Sequence, residues 1–72
     1  MIKESKHDRF KRLAEHRTNI VLDRLRVLGN CSNKSAYEYT EQDVRKIFSA
    51  IEGELQLIKA KFKNPKTQKF EL

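Results

Sequence analysis

Between residues 44 and 62 six large apolar side chains, Val44, Phe48, Ile51, Leu55, Ile58 and Phe62, follow one another at spacings of 4, 3, 4, 3 and 4, with Ile47 beside them. An α-helix gathers such a series onto one side, whereas a strand would scatter it over both faces. The spacing predicts a helix over about residues 41–63 whose core face is a coiled-coil-like seam. Its start is marked by Thr40-Glu-Gln-Asp43, in which the Thr40 hydroxyl can accept from the Asp43 N–H. Acidic Glu41 and Asp43 suit the positive helix end, although Asp in place of Glu weakens the return bond. Pro65 closes the helix, and the polar stretch 64–72 reads as a flexible basic tail in which docking of Phe70 and Leu72 is the less favoured alternative.

A second helix is expected over about residues 5–28, where good helix formers prevail and neither Gly nor Pro occurs. Gly29–Asn30 follows as a stop signal of the left-handed type. At 100° per residue, Phe10, Ala14, Val21, Leu25 and Leu28 make one stripe, while Leu13, Ile20 and Val27 make another about 100° away. Two readings stay open. Either the stripes form one broad core face, or one packs on the second helix and the other on a second copy of the chain. Between them lie Lys6, Arg17 and Arg24, whose stems can cover apolar surface while their charged heads reach a carboxylate or phosphate.

Residues 29–39, GNCSNKSAYEY, lose the helical period and read as a connection. Tyr37 and Tyr39 precede the Thr40 cap, and Tyr39 could pack against Val44 as a hydrophobic staple. Base stacking by these tyrosines is disfavoured, because Lys34 is the one cation in the segment. On the second helix the side opposite the seam carries Gln42, Ser49, Gly53, Gln56, Leu57 and Ala60, with few charges near its centre. Ser49, Gly53 and Ala60 would let another backbone approach closely. The alternative is that Gly53 is merely tolerated, at a cost of about 1 kcal/mol relative to Ala.

These elements predict an all-α fold, an antiparallel helical hairpin over residues 1–63. In a chain of 72 residues, a lone hairpin buries too little of its apolar surface to offset comfortably the entropy of ordering two long helices. Completion as a four-helix bundle by homodimerisation is therefore expected. The size also argues against the walled pocket of a small-molecule enzyme, and no small-molecule substrate is expected. There is no phosphate-loop, nucleophile-elbow or paired-histidine zinc motif, so no catalytic residue, metal or cofactor is assigned. His7 and His16 fall on different sides of a helix, and the single cysteine, Cys31, cannot form an internal disulfide. No apolar run is long enough to span a membrane and no secretory signal pattern is evident, so a cytoplasmic protein without a membrane partner is expected.

The net charge is +6, with residues 1–30 contributing eight basic against four acidic side chains. Dimerisation would double the total and could align two basic first helices into a field that attracts phosphate backbones. Lys6, Arg9, Lys11, Arg12, Arg17 and Arg24 are the candidate nucleic-acid contacts. Some cations have carboxylates one turn away, Asp8 for Arg12 and Glu41 for Arg45, which tempers that reading. Leu13, Ile20, Val27, Ser49, Gly53 and Ala60 are the candidate partner interface.

The blocks RLAEHRTN (12–19) and LGNCSNKSAYEYTEQDVRKIFSAIEGEL (28–55) resemble small proteins carried by phages and other mobile elements of Gram-positive bacteria, the likeness covering about residues 9–62. The resemblance implies a mobile-element origin and transfers no functional residue. Proteins of that origin tend to handle DNA or to bind a host protein. The two expected functions are accordingly non-catalytic binding of nucleic-acid backbone and, as the alternative, action as an adaptor or inhibitor on a host protein.

Overall fold

The structure is a computed structural model and describes residues 3–63. Among these residues it is all-helical and strand-free: helix α1 spans Lys6–Gly29, a 3-10 turn follows at Asn30–Ser32, and helix α2 spans Glu41–Lys63. Both helices start and end within one residue of the bounds that periodicity and caps indicate. The tail expected over 64–72 lies outside the described residues. The chain divides into two units, the first extending to Tyr37 and the second starting at Glu38, each built on one long helix.

In the first unit, Ser5 caps α1 in an extended conformation, its hydroxyl accepting from the Asp8 N–H at 3.0 Å. The C-terminus departs from expectation. No described residue has a positive φ, and Gly29 sits at φ −58°, ψ −26°, so the helix does not end in a left-handed glycine. Instead its last turn tightens: the Asn30 N–H donates to the Val27 carbonyl and the chain passes directly into the 3-10 turn. Tightening occupies the terminal carbonyls that a left-handed cap would otherwise satisfy, which removes the need for glycine's conformational freedom. Asn33 then organises the connection. Its side-chain oxygen accepts from the Ser35 N–H at 3.0 Å, and its carbonyl accepts from Ala36 and Tyr37 at 3.1 and 2.9 Å.

In the second unit, both halves of the capping box at α2 are made. The Asp43 N–H donates to the Thr40 hydroxyl at 3.1 Å, and the Thr40 N–H donates to the Asp43 carboxylate at 2.8 Å. The return bond expected to be weak is the shorter of the two. Asp reaches as far as the box requires, so two orphan donors are satisfied reciprocally.

No described residue in either unit is buried. Leu13, Ala14 and Leu28 are half-buried in the first unit, and Tyr39, Val44 and Ile51 in the second. A single helix is a convex rod, so neighbours three and four residues away shade a side chain but cannot enclose it.

Candidate partner interface

Helix α2 carries the better-defined surface. Val44, Ile47, Phe48, Ile51, Leu55, Ile58 and Phe62 occupy an arc of about 100° along its length. Every one of them beyond the half-buried pair Val44 and Ile51 is at least 41% exposed, and Phe62 reaches 67%. On the opposite side, Ser49, Gly53 and Ala60 are exposed, as is Leu57 at 61%. A Cβ built on Gly53 meets nothing within 4 Å, so no contact inside the chain requires glycine there. Gln42, Arg45, Lys46, Ser49 and Ala50 line a shallow, open depression on that side. Too little of it is walled to hold a small molecule away from water.

On α1 the two stripes persist at the helix surface. Ile20 and Val27 of the narrower stripe are exposed, Val27 at 57%, while Leu13 is half-buried. Phe10, Val21 and Leu25 of the other stripe are also exposed. Both stripes therefore present apolar surface, and the polar line Lys6, Arg17, Arg24 runs between them.

The six candidate phosphate contacts do not form one patch. Lys6, Arg17 and Arg24 fall within about 20° of one another around the α1 axis, but Arg9, Arg12 and Lys11 point to three other directions. Arg12 makes a two-pronged ion pair with Glu4, Nε at 2.9 Å and an Nη at 3.1 Å, and Arg9 approaches the same carboxylate at 3.8 Å. The hydrogen bond from Arg12 holds the Glu4 carboxyl below its ordinary value of 4.5, and the reciprocal bond raises the guanidinium. Arg12 thus pairs with Glu4 and not with Asp8 one turn away. Glu4 precedes the Ser5 cap, where the backbone is extended, and helical spacing does not govern what it reaches. The expected Glu41–Arg45 pair is present at 3.8 Å, and Asp23–Arg26 adds another at 3.5 Å. Lys6, Lys11, Arg17 and Arg24 form no ion pair among the described residues.

His7, His16 and Cys31 are exposed, and no cluster of three metal-ligating side chains occurs among the described residues. No described helix is long and apolar enough to cross a membrane. No family model matches the chain, and comparison with curated proteins and with solved structures returns no match.

The 4-3 spacing marks the α2 seam as an apolar face, and within its own unit that seam lies along the helix surface, so it joins Leu13, Ile20, Val27 and the Ser49–Gly53–Ala60 side among the candidate faces.

Proposed function

We propose that this chain is a non-catalytic helical binding module that assembles with copies of itself through its apolar seams. The observation that carries the reading is the absence of any buried residue among those described, combined with two helices that each display a continuous apolar stripe. Patches of that kind on small soluble domains mark association surfaces. An antiparallel hairpin in each chain, closed into a four-helix core by a second copy, is the smallest arrangement that covers both helices. Light scattering on size-exclusion-purified chain tests it: a mass of at least two chains at micromolar concentration is expected, and one-chain mass throughout refutes the reading.

A second reading, contact with nucleic-acid backbone, draws support from Lys6, Arg17 and Arg24. They share one line on α1 and none of them is neutralised by a described carboxylate. Fluorescence anisotropy with a mixed-sequence DNA duplex should show affinity falling steeply between 50 and 200 mM salt, as counterion release requires. Replacing Lys6, Arg17 and Arg24 together by Gln should lower the salt slope by about 3. An unchanged slope removes this line as a phosphate contact. The likeness to mobile-element proteins is compatible with this reading and with capture of a host protein through the Ser49–Gly53–Ala60 side. Gly53→Arg is the test of that side.

A further inference from the structure

We propose that the α1 face centred on Arg17 and Arg24 docks an acidic amphipathic helix of another protein, whose carboxylates, seven residues apart, meet the two guanidinium groups while its apolar side chains cover Leu13, Ile20 and Val27. All of these residues lie on one helix of the first unit. The self-association proposed above needs the α2 seam and one α1 stripe, and this face uses the other.

The six arginines of the chain divide into two groups. Arg9 and Arg12 pair with Glu4, Arg26 with Asp23 and Arg45 with Glu41, at 2.9 to 3.8 Å. Arg17 and Arg24 form no ion pair among the described residues. Helical spacing explains the difference. The residues three and four positions from Arg17 are Leu13, Ala14, Ile20 and Val21, and those around Arg24 are Ile20, Val21, Val27 and Leu28. Every neighbour within reach along the helix is apolar, whereas a purely solvated helix face sets its arginines among polar residues. Both arginines are exposed, as are Ile20 and Val27 beside them.

These surroundings select the kind of anion. A phosphate backbone is hydrated on every side and would set polar surface against Ile20 and Val27, but an acidic amphipathic helix brings carboxylates and apolar cover together. Apolar cover also excludes water from the guanidinium–carboxylate pairs, which strengthens them. Arg17 and Arg24 are seven residues apart, or about 10.5 Å along the axis, so a partner helix laid alongside matches them with carboxylates at the same interval.

A second copy of the chain does not supply that surface. Asp8 and Glu15 are the described carboxylates that share a helix at a seven-residue interval, and Lys11 and Arg12 between them are charged instead of apolar. The seam of α2 is apolar but carries no carboxylate among Val44, Phe48, Ile51, Leu55, Ile58 and Phe62.

The test uses the full chain and two synthetic helical peptides, one with a Leu face bearing Glu at seven-residue intervals and one with Gln in place of Glu. Fluorescence anisotropy should show the Glu peptide binding at least about tenfold more tightly, since a charge-assisted hydrogen bond is worth about that factor. Arg17→Glu combined with Arg24→Glu should abolish binding of the Glu peptide and create binding of a third peptide with Lys at the same places, while the sedimentation mass of the chain stays as in the parent. The reversal disturbs no charge pair within α1, because no charged residue lies three or four positions from either site. Val27→Ser should weaken the Glu peptide about tenfold. Equal affinity for the Glu and Gln peptides overturns the proposal, and so does parent affinity in Val27→Ser. Displacement of the Glu peptide by equimolar polyglutamate or mixed-sequence DNA duplex also overturns it, because the arginines would then be taking anions without regard to their apolar surroundings. A one-chain mass with Glu-dependent peptide binding overturns self-association and leaves this docking face standing, whereas a multiple-chain mass without peptide binding does the reverse.

Discussion

The two helices differ less in length than in how their apolar residues are arranged. Helix α2 keeps one unbroken 4-3 seam behind a reciprocal capping box, whereas α1 divides its apolar side chains between two stripes and places Lys6, Arg17 and Arg24 between them. A seam with a single period specifies one partner geometry, because each side chain has a defined place in a repeating interface. Two stripes separated by cations specify a surface that tolerates more than one neighbour, with charged heads able to reach out between the contacts. On the assembly proposed above, the difference places its specification mainly in α2 and leaves the cationic line of α1 for the proposed further partner.

The contrast is broken most severely by placing a charge at the centre of the seam. Ile51→Asp should abolish assembly and lower helicity by circular dichroism, since an unpaired carboxylate within the interface costs several kcal/mol per copy. The matching change on α1, Ile20→Asp, should weaken assembly by a smaller factor, because only one of the two stripes is touched. Equal loss in the two variants would erase the distinction between the helices.

Caps come next in size. Thr40→Ala removes the hydroxyl that accepts from the Asp43 N–H and leaves the Asp43 carboxylate only its bond from the residue-40 N–H, and should destabilise α2 by about 1–2 kcal/mol in urea titration. Ser5→Ala removes one bond at α1 and should cost about 1 kcal/mol or less. A larger effect at Ser5 would contradict the view that α2 is the better-anchored element.

The glycines give changes of opposite sign. Gly29→Ala should stabilise α1 by about 0.4–1 kcal/mol in thermal melts, because the residue is right-handed and open space surrounds its Cβ position. A left-handed helix stop would have made the same substitution destabilising, so the melt separates the two conformations directly. Gly53→Ala should stabilise α2 by about 1 kcal/mol. Weaker assembly in that variant, despite a firmer helix, would assign the Ser49–Gly53–Ala60 side a close backbone contact.

The smallest effect belongs to Glu4. Its carboxyl titrates lower in the folded chain than in the unfolded one, so its pairing with Arg12 and Arg9 is fully present above about pH 4.5 and is lost as the pH falls through the folded value. Amide protection in the first turn of α1, taken relative to the intrinsic exchange rate at each pH, should therefore fall on acidification below that range and also in Glu4→Gln at neutral pH. Indifference to both changes would mean the ion pair orders nothing.

Helix bounds were legible in the sequence because local rules govern them. The 4-3 spacing, Thr40 and Pro65 bracket α2, and an uninterrupted run of helix formers brackets α1. Two readings departed from the structure for identifiable reasons. Gly29 permits a left-handed stop but does not compel one when a 3-10 turn can satisfy the same carbonyls. Helical spacing matches Arg12 to Asp8, but that rule ends at the cap beyond which Glu4 lies. The candidate site was legible only as faces. Periodicity says which residues share a side of a helix, while the choice among partners for that side depends on surfaces belonging to other molecules.

Equilibrium sedimentation of the full chain, run from low micromolar to near-millimolar concentration with helicity followed in parallel, tests the central claim most directly. The account predicts a mass that is a whole multiple of the single chain, and helix content that declines as dilution dissociates it. A monomer of full helicity across the whole range would contradict it, since the exposed seams would then need no second copy.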